Sequence, residues 1–333
     1  MIKLDHLYRL TDNTGIYQHA RWSRPNPEFG YCLDDNARAL VVAIRAHALT
    51  GENGLLDYVR HYLAFVERCQ RADGRFHNFM SADGKWLDEF GSEDSHGRAL
   101  WALGYAARHS PQVEVRARAL QCLDRTLPAL NELRYLRAAA FTLLGLAYWR
   151  EAEPADALDN LTQRLSALLQ AGYKQHSGDE WHWFEDELTY CNARLPEALL
   201  ATPGYETIGL ESLTWLCEQL EVDGSISLIG SNGWYQRGGE RAMYDQQAVD
   251  ASGLVSACVA AYRHSGQERF RNWARLAYEW FHGRNPGRRP MIDPDTGGCF
   301  DGLQPAGVNQ NQGAESLLAW LLAWEDMSEA GWL

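Results

Sequence analysis

Residues 33–40 read Leu-Asp-Asp-Asn-Ala-Arg-Ala-Leu, and residues 93–100 read Glu-Asp-Ser-His-Gly-Arg-Ala-Leu. Each stretch places an aspartate at the start of an apolar helical run and an arginine four residues later. These pairs are Asp34–Arg38 and Asp94–Arg98. Weaker copies begin near residues 190, 250 and 311. A phrase that recurs at a regular spacing predicts a chain built from repeated supersecondary units.

Helices that are apolar on nearly all sides alternate along the chain with helices that are apolar on one face. Residues 39–49 are typical of a buried helix, whereas residues 55–70 show the apolar stripe of an amphipathic helix with one face exposed to solvent. Gly104 and Gly145, inside two buried runs, are expected to permit close helix packing. The six buried helices are predicted over residues 34–49, 94–107, 132–149, 195–201, 248–263 and 313–326.

Five amphipathic helices follow these buried helices, and the N-terminal helix over residues 2–12 can supply the sixth outer partner. Helical hairpins that bury an inner ring against an outer ring give an (α/α)6 toroid. We therefore predict an all-α fold of this class. No low-complexity linker interrupts the pattern, so residues 1–333 are expected to form a single (α/α)6-barrel domain.

The composition excludes several classes of function. The 333 residues carry a formal charge of −13 and no basic run, so nucleic acid and anionic membranes are poor partners. The N-terminus has no signal-peptide core and no stretch is apolar enough to span a membrane, so a cytoplasmic protein is expected. Seven cysteines without a CxxC pair are expected to be free apolar fillers. No metal-binding or phosphate-binding motif occurs, so neither a metal nor a cofactor is expected.

The loops before the buried helices hold the unusual residues, whereas the loops after them are short. In a toroid the N-termini of the inner helices open at one end, where unpaired N–H groups carry positive partial charge. An acidic and aromatic mouth suits a neutral sugar, because aromatic faces stack on pyranose rings and carboxylates bind hydroxyls or move protons. Loop acids and aromatics outside the assignments below include Trp86, Glu93, Asp186, Tyr244, Asp245 and Asp301.

The leading interpretation is a glycoside hydrolase that acts on a small oligosaccharide through an acid/base pair of carboxylates, with inversion at the anomeric carbon. The general acid would be Glu185, which lies among tryptophans, or Asp94, and the base would be Asp250. The candidate substrate-binding residues are Trp22, Asp34, Asp35, Arg38, His96, Arg98, Trp181, Trp183, Asn192 and Glu315. Trp181 and Trp183 alternate, so one of them is expected to face the cleft and the other the core.

Each of these residues also has a structural interpretation. Asp34 or Asp35 can serve as a helix N-cap, and the Asp–Arg pairs can be ordinary i, i+4 ion pairs. A first-turn acid such as Glu315 is favoured by the helix dipole. Helical aromatics such as Trp101 are expected in the core.

Other functions stay open at this stage. A sugar epimerase would use histidines such as His96 and His182, and a non-catalytic carbohydrate-binding module would need no close pair of carboxylates. Toroid lyases favour basic clefts, which this acidic chain lacks. Phosphorolysis would need a phosphate pocket, for which the available support is Arg284, Arg288 and Arg289.

Five stretches resemble a little-characterised group of (α/α)6-toroid proteins that are joined to, or encoded beside, glycosyltransferases and glycoside-processing enzymes. The stretches are residues 14–20, 30–40, 93–104, 181–200 and 313–323, and the resemblance covers most of the chain. It implies a six-hairpin, glycosidase-like fold, a carbohydrate substrate and a possible glycosyltransferase partner. Cys191 departs from the Tyr-Asp-Asn-Ala-Arg phrase that the resemblance leads us to expect, so this position is not predicted to be catalytic.

Overall fold

The computed structural model describes residues 2–333, and most of them are helical. Twelve α-helices lie in this range: α1 (Asp5–Leu10), α2 (Leu33–Thr50), α3 (Leu55–Cys69), α4 (Glu93–His109), α5 (Val113–Leu130), α6 (Leu136–Ala152), α7 (Asp156–His176), α8 (Arg194–Leu200), α9 (Glu206–Leu220), α10 (Ala248–Ser265), α11 (Glu268–Phe281) and α12 (Ala314–Glu329). No helix of residues 2–333 is both long and apolar enough to cross a membrane.

The strands are short. They are β1 (Ala20–Arg21), β2 (Arg24–Pro25), β3 (Tyr31–Cys32), β4 (Phe79–Met80), β5 (Glu187–Leu188), β6 (Glu221–Val222), β7 (Ser225–Ile226), β8 (Tyr235–Gln236), β9 (Gly302–Gln304) and β10 (Gly307–Asn309). Antiparallel pairs form between β3 and β4, β5 and β8, β6 and β7, and β9 and β10.

The described chain divides into two compact units. The first comprises residues 7–20 and 24–168, and the second comprises residues 2–6, 21–23 and 169–333. The single domain predicted from the sequence stays a prediction. Buried and amphipathic helices alternate within each unit, as the sequence pattern indicates.

The first unit is built on the three buried helices α2, α4 and α6. Every α4 residue from Ser95 to Ala107 except Tyr105 is buried. Helix α4 packs on both α2 and α6, and it also contacts α5, while α3 packs on α2. Helix α6 begins four residues later than predicted, because the segment before it forms a turn and an extended stretch instead of a first helical turn.

Three glycines allow α4 and α6 to approach closely. A Cβ atom added to Gly104 would lie 2.3 Å from the Gly145 carbonyl oxygen, and one added to Gly145 would lie 2.5 Å from the Leu100 carbonyl oxygen. One added to Gly97 would lie 2.6 Å from the Ala138 carbonyl oxygen. The expectation that Gly104 and Gly145 permit close packing is therefore confirmed.

The second unit is organised around α10. Its residues from Ala248 to Val259 are buried with the exception of Val249. Helix α10 packs on α8, α11 and α12, and α8 packs on α9. Helix α8 is brief, so the strand-bearing loops around it form much of this part of the unit.

Most loops before the buried helices are long and contain short strands, with the exception of residues 131–135 before α6, whereas the loops after the buried helices are short. Strand β3 leads into α2, β4 precedes α4, β5 precedes α8, and β9 and β10 precede α12. After the buried helices, the linking segments are residues 51–54, 110–112, 153–155, 201–205, and 266–267. The asymmetry expected from the sequence is therefore present in the structure at every buried helix except α6. All seven cysteines are free and buried, as expected of apolar fillers.

Candidate active site

The first turn of α2 is held together by a buried aspartate–arginine pair. Asp35 Oδ1 accepts a hydrogen bond from Arg38 Nη1 at 2.9 Å, and their side chains are 6% and 4% exposed. The thiol of the N-cap residue Cys32 donates to Asp35 Oδ2 at 3.0 Å. Burial and the neighbouring aspartate charges raise the pKa of this thiol well above its usual range, so it stays protonated.

Arg98 gathers carboxylates from two helices of the first unit. Its Nη1 lies 2.5 Å from Asp94 Oδ2 in the same helix and 3.5 Å from Asp34 Oδ2 in α2. The guanidinium also lies 4.6 Å from the ring centroid of Phe141 in α6, a cation–π distance. The Arg98 side chain is 5% exposed, but those of Asp34 and Asp94 are 23% and 18% exposed. One fixed cation therefore holds two aspartates whose side chains are partly exposed.

His96 is engaged by the backbone at both ring nitrogens. Its Nε2 accepts the Phe76 N–H at 2.9 Å, and its Nδ1 lies 2.6 Å from the Ser92 carbonyl oxygen, to which it must donate. Burial lowers the pKa of His96 and favours this neutral tautomer. In this arrangement neither nitrogen is available to a hydroxyl, although His96 was expected among the substrate-binding residues.

Two further acids of these loops hold helix N-termini. Glu93 Oε2 accepts the backbone N–H groups of Arg134 and Tyr135 just before α6, at 2.7 and 3.0 Å. Asp301 Oδ1 accepts the Gly313 N–H at the start of α12, at 2.7 Å. Carboxylates at these positions satisfy N–H groups that a helix leaves without internal partners.

Both tryptophans of the 181–183 segment lie inside the second unit. Trp181 is 4% exposed, and its indole N–H donates to the Glu185 carbonyl oxygen at 2.8 Å. Trp183 is fully buried and stacks on Trp215, with ring centroids 5.9 Å apart. The expectation that one of the two tryptophans faces a cleft is therefore wrong. Alternation along an irregular loop does not separate its side chains as it does in a strand.

Glu185 lies half-buried beside these rings. The next residue, Asp186, is exposed and pairs with His176 at 3.1 Å and with Arg237 at 3.6 Å. The hydrogen bond from His176 lowers the pKa of Asp186. His182 Nδ1 lies 3.6 Å from Glu211 Oε1 on the amphipathic helix α9. Glu185 is thus half-buried beside tryptophan rings, whereas Asp186 is exposed and ion-paired.

Asn192 shapes the turn that leads into α8. Its side chain accepts the Thr189 N–H at 3.1 Å and donates to the Thr189 carbonyl oxygen at 2.7 Å. Between these residues Cys191 has φ +50°. Arg194 in the first turn of α8 pairs with Glu197 at 2.6 Å, and both side chains are largely buried.

Asp250 lies in the first turn of α10 beside a small hollow and is 8% exposed. The hollow is lined by Asn192, Ala193, Leu216, Leu220, Leu228, Ile229, Asp250 and Leu254. Asp250 and Asn192 are thus brought together although they are far apart in the sequence. Apart from these two residues the lining is apolar.

Trp22 is hydrogen-bonded to the segment just before α12, and Glu315 lies in the first turn of that helix. The Trp22 N–H donates to Asn311 Oδ1, and its carbonyl oxygen accepts the Gln312 N–H, both at 2.9 Å. These bonds hold Trp22 at φ +59° with its side chain 66% exposed. Glu315 is half-buried in the first helical turn.

The predicted residues therefore form separate groups within each unit. In the first unit, Asp35 pairs with Arg38 while Asp34 and Asp94 share Arg98. In the second unit, Asp250 meets Asn192. Sequence reasoning missed Phe141 under Arg98, because a phenylalanine in an apolar helix carries no local sign of a cation above it.

Comparisons with known proteins identify the fold. No protein-family model and no curated relative matches the chain. A solved sugar epimerase from a ruminal bacterium is 15% identical with a TM-score of 0.74, covering 96% of this chain and 95% of that chain. The cellobiose 2-epimerase from Spirochaeta thermophila is 14% identical with a TM-score of 0.71, covering 98% and 92%. The GH76A alpha-1,6-mannanase from Salegentibacter is 12% identical with a TM-score of 0.65, covering 98% and 96%.

The chain thus has the six-hairpin, glycosidase-like (α/α)6-toroid fold, and the predicted fold class is confirmed. The solved structures that share this fold include two epimerases and a mannanase, so the fold leaves the reaction of this chain open. None of these three structures is a glycosyltransferase, and they do not support the expected partner.

Proposed function

We propose that the protein is a glycoside hydrolase that acts on a small, neutral oligosaccharide. The observation that carries this proposal is the placement of Asp34 and Asp94, two partly exposed carboxylates held by the buried guanidinium of Arg98. Carboxylates fixed in this way suit the binding of sugar hydroxyls, because each can accept their hydrogen bonds. The fold, which the alpha-1,6-mannanase shares, is compatible with this chemistry.

The separation of Asp34 and Asp94 limits the role that Asp34 can take. Both aspartates lie on Arg98 Nη1, so their Oδ2 atoms are no farther apart than about 6 Å, less than the roughly 6.5–9.5 Å between the carboxyl groups of inverting enzymes. We therefore assign Asp34 to hydroxyl binding. The proposed acid is Asp94 or Glu185, and the proposed base is Asp250. A variant of the related-fold mannanase with two adjacent aspartates changed to asparagine is described as inactive, and was crystallised with mannotriose.

The charges around these residues favour a neutral substrate. Three arginines at the start of buried helices already have a carboxylate partner: Arg38 has Asp35, Arg98 has Asp34 and Asp94, and Arg194 has Glu197. A sugar phosphate or uronate would have to compete with these carboxylates for the guanidinium groups. Arg284 pairs with Glu279, and Arg288 and Arg289 are exposed, which gives little support for phosphorolysis.

A sugar epimerase is the second candidate, because two of the solved structures above are epimerases. The histidines proposed for that reaction are His96 and His182. The ring nitrogens of His96 are both bound by the backbone, and His182 lies beside Glu211. This geometry supports the carboxylate mechanism better than the histidine mechanism.

The test is a screen of the purified protein against gluco-, manno- and galacto-oligosaccharides, with and without phosphate. New reducing ends and shortened products are expected from the wild type, and Asp250→Asn should abolish them. Loss of activity in Glu185→Gln or in Asp94→Asn would identify the acid. Asp186→Asn is the matched control, because this exposed neighbour of Glu185 has no assigned role. Binding of a sugar without turnover would instead indicate a carbohydrate-binding module.

A further inference from the structure

Unfavourable backbone conformations occur close in the sequence to residues that line the hollow of Asp250. Within residues 2–333, six residues other than glycine have positive φ. Three of them are Cys191 at +50°, Trp234 at +55° and Asp245 at +59°. A bulky residue such as tryptophan is rare in this region, and strain of this kind persists where the surrounding structure enforces it, often at functional sites.

The backbone of Trp234 is locked by its own loop, residues 230–245. Its N–H donates to the Gly230 carbonyl oxygen at 3.1 Å, and its carbonyl oxygen accepts the Ala242 N–H at 2.9 Å. Gly230 lies so close to Tyr244 that an added Cβ would be 1.8 Å from the Tyr244 carbonyl oxygen. The loop therefore holds this tryptophan in one position.

The same loop is joined to the segment that carries Tyr190. Strands β5 and β8 pair with Glu187 opposite Gln236 and Leu188 opposite Tyr235. Beyond this pairing, the rings of Tyr190 and Trp234 lie side by side, with centroids 6.4 Å apart and an interplanar angle of 45°. Both side chains are half-buried. In contrast to Trp181 and Trp183, these two rings keep aromatic surface open to solvent.

Both rings are carried by chain segments that line the hollow. Tyr190 is two residues before Asn192, and Trp234 is five residues after Ile229, and both Asn192 and Ile229 line the hollow with Asp250. Binding sites for small molecules combine aromatic and apolar walls with a few polar groups. The hollow supplies the carboxylate, and the neighbouring loop supplies the aromatic faces.

We propose that Tyr190 and Trp234 form an aromatic platform on which one pyranose ring of a neutral glycan stacks while Asp250 faces its polar edge. This inference rests on the proposed function. It assigns to Tyr190 and Trp234 the stacking role that Trp181 and Trp183, being buried, do not fill. The strained backbone at Trp234 maintains the position of the platform.

The experiment compares Trp234→Ala, Tyr190→Ala and Trp234→Phe with the wild type on an oligosaccharide that the wild type cleaves or binds. Losing one aromatic stacking partner should raise KM or Kd about tenfold with a smaller change in kcat, and Trp234→Phe should retain most of the affinity. Trp332→Ala is the matched control, because this half-buried tryptophan packs on Tyr262 near the C-terminus. Tyr190→Ala keeps the test valid if Trp234→Ala fails to fold.

The outcomes separate this inference from the proposed function. Wild-type KM and Kd in Tyr190→Ala, or in Trp234→Ala if it folds, would overturn the platform and leave the hydrolase intact. An equal loss in Trp332→Ala would also overturn it, because the effect would then be general. A wild-type protein that neither cleaves nor binds any sugar of the panel would overturn both proposals.

Discussion

Replacing Gly145 with alanine should separate two buried helices of the first unit. A Cβ atom at this position would lie 2.5 Å from the Leu100 carbonyl oxygen, 2.6 Å from the Leu100 carbonyl carbon and 2.8 Å from the Trp101 nitrogen. All three are backbone atoms of α4, so no side-chain rotation can relieve the contact. The helices must therefore move apart, or the local backbone must distort.

The expected loss of stability combines two opposing effects. Alanine is favoured over glycine inside a helix by about 1 kcal/mol. Forcing an extra methyl group into a packed interior costs about 1–3 kcal/mol, and more when rigid elements must shift. Because three backbone atoms lie within 3 Å, we expect the upper part of that range or beyond, and a net loss of roughly 2 kcal/mol or more.

Gly253→Ala is the matched control, since Gly253 also lies inside a buried helix, α10. Its added Cβ would lie 3.7 Å from Arg194 Nε and 3.9 Å from Ala193 Cβ, which are ordinary contacts. This variant should be unchanged or more stable by up to about 1 kcal/mol. Urea titrations of both variants measure the difference. A Gly145→Ala protein as stable as Gly253→Ala would refute the close packing of α4 and α6.

Three further perturbations test the groups described above. Arg98→Met should reduce the unfolding free energy by about 3 kcal/mol, because a buried cation is lost from its carboxylates; adding Asp94→Asn should recover part of this loss in denaturant titrations. Burial lowers the pKa of His96 below its usual value, so its ring should be neutral at pH 7 with the proton on Nδ1, and a protonated ring at this pH in nitrogen-15 NMR spectra would contradict the assignment. Although burial opposes the shift, hydrogen bonds from Tyr31 and the backbone lower the pKa of Asp12. Because Asp12 is exposed, solvent screens this contact, and Tyr31→Phe should cost about 0.5–1.5 kcal/mol at pH 7. The difference in stability from the wild type should narrow as the pH falls through the lowered pKa of Asp12, where the wild-type carboxylate also loses its charge.

The sequence predicts the fold well because burial leaves a direct mark on composition. A helix that is buried on nearly all sides is apolar all round, whereas an amphipathic helix has a polar face exposed to solvent. The alternation of α2 with α3 and of α4 with α5 can therefore be predicted from the sequence. Glycines inside apolar helices likewise indicate close packing, as at Gly104 and Gly145. These signals come from residues that are neighbours in the sequence, so they can be recognised before the fold is known.

The partners of the site residues could not be predicted, because they come together only in the folded chain. Arg98 meets Asp34 from another helix as well as Asp94 from its own. His96 receives its hydrogen bond from the Phe76 backbone. In a loop without regular periodicity, nothing in the sequence decides that Trp183 is buried.

The central claim is that a carboxylate mechanism shortens a glycan, and the most direct test is mass spectrometry of the products formed in D2O. We predict that the wild type gives a shortened oligosaccharide with no deuterium bound to carbon, and that Asp250→Asn gives no product. A product of unchanged length that carries one carbon-bound deuterium would contradict the claim and establish an epimerase.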